Sequence, residues 1–260
     1  MPEPISGDAP QRTLRCCALY PDLMNIYADR GNLLMLQRRC GWRGIGFQLT
    51  AAGLGDAFDP HAHDLFYLGG GQDRDQLLCA EDLRETKRVG LHAAATRGAV
   101  VLGVCGGYQL LGHSYTIGGE QIEGVGLLDV ETVRVAGPRL IGNVAIEVAL
   151  EDGASAPGER VLVGFENHGG RTRLGAEQPA LGRVITGHGN DGSSGMEGAR
   201  SRNTIGTYLH GPLLPKNAWF ADWLIARALG ISQRELAPLQ DELELAAHAS
   251  ALRAAGVQRH

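Results

Sequence analysis

The chain has 260 residues, 43% hydrophobic and 20% charged, with 24 basic against 29 acidic side chains and a net charge of −5. That balance suits a folded α/β chain with a sizeable core, and without any basic block it gives no footing for a nucleic-acid or anionic-membrane binder. No apolar run reaches the roughly 18 residues of a membrane span, and the polar, proline-containing Met1–Arg12 lacks a signal-peptide core, so a cytoplasmic location is expected.

Leu14–Tyr20 is a short apolar run closed by Pro21 and reads as a first strand. Gly31–Cys40 follows as a helix, with Leu33, Leu34 and Leu36 at helical spacing and Gly41 as its stop. Gly44–Thr50 reads as a second strand. Asp64–Leu68 is a third, running straight into Gly69-Gly70-Gly71. Gln72–Arg97 is charged and helix-favouring. Ala99–Val104 is almost wholly apolar, as a central parallel strand buried on both faces must be. This alternation predicts a doubly wound, mostly parallel α/β sheet.

Beyond it, Leu140–Leu150, Val161–Glu166 and Gly182–Thr186 read as strands between Gly-rich turns, an antiparallel extension. Asn203–Leu209 is a further strand ending at His210. Pro215–Leu229 is predicted as a helix with Trp219, Trp223 and Leu224 on its apolar side, and Ser232–Ala255 as a helical tail. The expected division is a domain over 13–230 and a tail over 231–260. In that tail Leu239, Leu243 and Ala247 share a face that suits either a partner or the chain's own domain.

Chemistry concentrates at Gly103-Val104-Cys105-Gly106-Gly107, directly after the buried strand. A sharp strand-to-helix turn crowds the backbone two residues before and after its central residue, and Gly103 and Gly107 meet that demand. A helix starting near Gly106 would aim its free N–H groups at the sulfur, which predicts a thiol pKa lowered from about 8.5 to about 6. Cys16, Cys17, Cys40 and Cys79 lack this setting and are expected to fill core. Five cysteines without C-x-x-C spacing make neither a disulfide framework nor a zinc site, so no metal is expected. Oxyanion donors are expected from the Gly106 N–H and from the glycine run, with Gly70 at its centre, because glycine lets backbone approach substrate.

The base is sought among nine histidines. His210, at the end of an apolar strand before Gly211-Pro212, sits where α/β enzymes place catalytic groups. His168, in Gly164-Phe165-Glu166-Asn167-His168-Gly169-Gly170, also fits, and both stay open at this point.

Cys105 in Gly-Val-Cys-Gly-Gly-Tyr-Gln, with His210 in Thr-Tyr-Leu-His-Gly-Pro, resembles the triad-type (class I) glutamine amidotransferases, in their cobyric-acid-synthase-like branch. Leu19–Tyr27, Asp29-Arg30-Gly31-Asn32, Trp42-Arg43-Gly44-Ile45 and Gly164–His168 narrow the resemblance to the GatD family. These are the glutaminase subunits of the lipid II isoglutaminyl synthases that serve peptidoglycan synthesis in Gram-positive cell walls. The likeness runs from about Leu14 to Leu229. It implies that Cys105 forms a γ-glutamyl thioester, that His210 shuttles the proton, and that Arg139 holds the glutamine. A guanidinium fork suits a carboxylate, although the residues alone would leave Arg139 as a surface arginine.

Many triad glutaminases carry a glutamate two residues after the histidine, where this chain has Pro212. The resemblance implies that a Mur-ligase-like partner, MurT, supplies an aspartate instead. Ammonia does not amidate an unactivated carboxylate, and neither Lys87 nor Lys216 lies in a P-loop. ATP is therefore expected on the partner, with no cofactor in this chain. Three other readings are a glutaminase for a cobyrinate-type synthase, a peptidase-like cysteine hydrolase and a non-catalytic glutamine-sensing subunit.

Overall fold

The computed structural model describes residues 12–26, 29–150 and 160–257. The polar N-terminus up to residue 11, Tyr27 of the motif and the last three residues of the tail lie outside them. In chain order the strands are β1 (Thr13–Leu19), β2 (Gly46–Ala52), β3 (Leu65–Leu68), β4 (Val100–Val104), β5 (Ser114–Ile117), β6 (Glu120–Glu123) and β7 (Val130–Arg134). They continue with β8 (Leu140–Glu147), β9 (Val161–His168), β10 (Gly170–Leu174), β11 (Gly182–Thr186), β12 (Met196–Glu197), β13 (Ala199–Ser201) and β14 (Thr204–Thr207). The helices are α1 (Arg30–Gly41), α2 (Asp73–Asp82), α3 (Arg88–Thr96), α4 (Gly106–Leu111), α5 (Leu213–Lys216), α6 (Ala218–Leu229) and α7 (Glu242–Ala254), with a π-turn at Leu83–Lys87 joining α2 to α3.

The predicted α/β sheet has six strands in the order β13-β14-β4-β3-β1-β2. Every neighbouring pair is parallel except β13 with β14. Each residue of β3 and of β4 is buried, which is why these segments read as continuous apolar runs rather than alternating ones. On α1, Leu33, Met35 and Leu36 face inward and Leu34 is exposed, as the 3.6-residue period requires.

The antiparallel extension is present as two four-stranded sheets, β10-β7-β5-β6 and β12-β11-β8-β9. One pair departs from it, since β5 and β7 run parallel. Strands β5, β6, β7 and β10 were not predicted. They are four or five residues long and β6 is almost wholly exposed, while the alternating burial of β7 and β10 is too short to stand out in the sequence.

Two helical expectations are corrected. Pro215–Leu229 is two helices broken at Asn217. Its side chain accepts from Val163 N at 2.9 Å and donates to Val163 O at 2.8 Å and Leu213 O at 2.7 Å, and these bonds hold Asn217 out of helical geometry (φ −137°, ψ 63°). Ser232–Ala255 is helical only from Glu242. Pro238 disfavours helix in the residue before it, and Ser232 closes a capping box over one 3₁₀ turn instead.

The tail packs on its own domain. Leu252 and Ala255 bury against Ala145 and Val163, Asn143 Nδ2 donates to Ala254 O at 2.9 Å, and Asp241 pairs with the buried Arg39 guanidinium. Leu243 and Ala247 stay exposed. Among the described residues no helix is long and apolar enough to cross a membrane.

Candidate active site

Strand register assembles the site. Leu68 at the end of β3 lies opposite Gly103, and Thr207 at the end of β14 lies opposite Val104. The glycine run, the Cys105 turn and the approach to His210 therefore leave the sheet together at its carboxyl edge, where open α/β sheets hold ligands. Cys105 N donates to Thr207 O at 2.8 Å, and Gly107 N to Gly69 O at 3.0 Å.

Cys105 has φ 53° and ψ −108°, a conformation that costs a non-glycine residue about 1–3 kcal/mol and is retained where the surroundings impose it. The crowding predicted for its neighbours is real. A Cβ on Gly103 would lie 2.9 Å from the Gly107 carbonyl, and one on Gly107 would lie 2.2 Å from Leu68 O. The other four cysteines are buried in the core, as expected of them.

The central glycine of the run is engaged otherwise than expected. The Gly70 N–H, expected as an oxyanion donor, donates instead to Asp29 Oδ2 at 2.7 Å. A Cβ on Gly69 would fall 2.4 Å from Met24 O and 2.9 Å from Asp29 Oδ2, and one on Gly71 would fall 2.4 Å from Met24 Sδ. These residues are glycine because the segment after β1 presses on them. It is Gly71 that lines the cleft holding Cys105.

That cleft is lined by Cys105, Gly71, Asp73, Gln109, Arg134, Arg139, Asn167 and His168, among others. Arg139 is steered into it by Asn167, whose Oδ1 accepts from Nε at 2.7 Å and whose carbonyl accepts from Nη2 at 2.6 Å. Of the two candidate histidines, His168 lines the cleft and His210 does not. His168 stacks on Tyr208 at 3.6 Å between ring centroids. Its Nδ1 lies 2.9 Å from Gly170 O; a carbonyl only accepts, so the proton sits on Nδ1 and Nε2 is an acceptor. His210 is fully buried. Its backbone exchanges two 3.0 Å hydrogen bonds with Phe165, and its ring lies edge-on to the Phe165 ring.

A polar chain backs the cleft. Gln76 Nε2 donates to Gln109 Oε1 at 2.7 Å and Gln109 Nε2 to Tyr208 OH at 3.2 Å, while Tyr208 OH lies 2.6 Å from Thr172 Oγ1. Gln109 of α4 and Tyr208 after β14 lie inside the two quoted motifs, while nothing in the local sequence marks Gln76 of α2 or Thr172 of β10.

Electrostatics overturn the expectation of a lowered thiol pKa. Burial pushes Cys105 up to about 12; Asp29 and Asp73 push the same way, and the Gly106 N–H and Arg139 only partly oppose them. Helix α4 has six residues, and its second N–H is spent on Gly69 O, so little of a helix-end field is left for the sulfur. Burial also brings His210 down to about 4 and His168 to about 3. Burial thus favours the neutral thiol and the neutral imidazoles at rest.

Residues 15–218 match the CobB/CobQ-like glutamine amidotransferase domain family. The chain is 37% identical over 217 residues to the lipid II isoglutaminyl synthase (glutamine-hydrolyzing) subunit GatD of Streptococcus pneumoniae, covering 83% of this chain and 80% of that one. It is 38% identical over 208 residues to the subunit of the same name from Staphylococcus aureus, covering 80% and 81%. Among solved structures, PurLQS from Thermotoga maritima shares the fold with a TM-score of 0.54 at 21% identity, over 84% of this chain and 95% of that one.

Proposed function

This chain belongs to the CobB/CobQ-like glutamine amidotransferase family, and we propose from that premise that it releases ammonia from L-glutamine at Cys105 for a separate ATP-dependent synthetase. The acceptor in this reading is the D-glutamate α-carboxylate of lipid II, and the partner a cytoplasmic Mur-ligase-like chain of the MurT kind. The similarity to the two GatD subunits over four fifths of their length supports that acceptor. The observation that carries the chemistry is Cys105 held at φ 53° on the strand-to-helix turn, in one cleft with Arg139.

Arg139 takes the α-carboxylate of glutamine and leaves the γ-amide over Sγ. Sulfur attacks the amide carbon, the thiol proton passes to an imidazole and from there to the leaving nitrogen, and the C–N bond breaks as ammonia departs. Water then cleaves the thioester and returns the proton to Cys105. His210 is the proposed base; His168 is the second reading, favoured by its place in the cleft and its accepting Nε2.

Burial holds the thiol up at about 12 and the His210 ring down at about 4, so both shifts oppose moving the proton between them at rest. A carboxylate set against the imidazole by the partner would ease that transfer, which fits the Pro212 departure and predicts weak hydrolysis by the chain alone. The test is glutamate release from glutamine with and without the co-purified synthetase, followed by glutamine-dependent amidation of lipid II. Cys105→Ser abolishes release, and His210→Ala strongly reduces it. If His168→Ala alone abolishes it, the base is reassigned. No release from wild type in either setting defeats the proposal.

A further inference from the structure

Asp29 is the least expected polar group near the cleft. It lies 1% exposed at the start of α1, and its Oδ1 has no hydrogen-bond partner among the described residues. Its Oδ2 takes the Gly70 N–H at 2.7 Å. The opposite side of the same residue is held as well, since Ile26 N donates to Gly70 O at 3.2 Å and Asp29 N in turn donates to Ile26 O at 3.2 Å. The turn after β1 therefore grips Gly70 by both its amide and its carbonyl.

That grip sets the direction of the next amide. The chain has no cis peptide among its described residues, and in a trans peptide the N–H points opposite to the carbonyl it is bonded to. With Gly70 O turned toward the Ile26 amide, the Gly71 N–H points away from it. Gly71 N stands 3.1 Å from where a Cβ on Gly106 would sit, and Gly71 and Cys105 line the same cleft. No acceptor among the described residues takes this N–H.

We propose that Asp29 is a positioning residue for glutamine hydrolysis: its carboxylate on the Gly70 N–H and the Ile26 N–H on the Gly70 carbonyl together fix that glycine so that the Gly71 N–H faces the cleft, where it joins the Gly106 N–H as the second donor to the tetrahedral oxyanion. This rests on the glutaminase reading above. It moves the donor one residue along the glycine run and gives Asp29 a role in the transition state without substrate contact. A donor aimed at developing charge acts on turnover rather than on substrate binding. Asp29 works as an acceptor here, so an amide oxygen in its place should serve. Burial pushes its carboxyl up to about 7, with the Gly70 N–H opposing that rise.

The experiment compares wild type, Asp29→Asn, Asp29→Ala and Asp29→Leu as full chains with the synthetase present, measuring kcat and KM for glutamate release and the rate of Cys105 alkylation by iodoacetamide. Asp29→Ala and the volume-matched Asp29→Leu should each lower kcat about 100-fold with KM within about threefold of wild type. Cys105 alkylation should be undiminished, since alkylation needs no oxyanion donor. Asp29→Asn should stay within about fivefold of wild type. The inference is overturned if the Ala and Leu variants keep their kcat, if Asp29→Asn is as slow as they are, or if kcat is lost only together with Cys105 alkylation. An active wild type with unaffected variants removes this inference alone; an inactive wild type removes the glutaminase reading beneath it.

Discussion

Alkylation of Cys105 separates a thiol governed by burial from one governed by the helix end. The thiol sits at about 12 in the resting chain, so at pH 8 about one part in 10⁴ is thiolate, against roughly a quarter for an ordinary thiol at about 8.5. That deficit is roughly 2,000-fold. The more basic thiolate is also the better nucleophile, and a Brønsted slope of about 0.4–0.5 returns roughly 25- to 50-fold. The net expectation is Cys105 alkylated about 50- to 100-fold more slowly than a free thiol at pH 8. Its rate should rise nearly tenfold per pH unit, without a plateau before about pH 11. The assay is iodoacetamide labelling of the folded chain from pH 6 to 11, with modification at Cys105 followed by peptide mass spectrometry. A plateau below pH 8, or a rate above that of a free thiol, would show a thiolate already formed and refute the dominance of burial.

Glu197 is fully buried, accepts from Tyr208 N at 2.6 Å, and is pushed up to about 8 by burial. Because its folded pKa lies above the unfolded value, its favourable contribution is whole below about pH 4 and is lost as pH rises through about 8. Glu197→Gln should therefore lose less Tm than wild type between pH 6 and 9 in calorimetry, and equal losses would contradict the sign. Arg39 is wholly buried and bonded to Asp222 at 2.5 and 2.6 Å and to Asp241 at 2.8 Å. Arg39→Met leaves Asp222 with Arg43 and takes from Asp241 the guanidinium it is bonded to, and should cost about 3–5 kcal/mol in urea unfolding; a loss under about 1 kcal/mol would show the cluster to be well solvated. In Gly107→Ala the new methyl meets Leu68 O at 2.2 Å and Gly69 O at 2.9 Å, both backbone atoms. The variant should fall in Tm and lose glutamate release together, and a variant stable and active as wild type would mean that the turn is looser than described.

Much of the site was legible because its cause is local. A continuous apolar run followed by Gly-x-Cys-Gly-Gly demands a buried strand and a cramped turn, and β4, Cys105 and α4 supply both. The strands β5, β6, β7 and β10 were missed because each is only four or five residues long, too short for its alternation to stand out, and is stabilised by pairing with its neighbours. Asp29 was quoted only as part of a motif, since nothing about an aspartate before Arg-Gly-Asn says that its carboxylate will meet Gly70.

By itself, then, the sequence determined the α/β sheet, the place of Cys105 on its strand-to-helix turn and the family to which the chain belongs. These follow from hydrophobic period, glycine spacing and motif, all written within a few residues of where they act. Tertiary structure alone decided the electrostatic state of the thiol, which histidine lines the cleft, and which glycine of the run lines it. Each of those depends on how deeply a group is buried and on what distant segment is packed against it, and such distances are set only when the strands align.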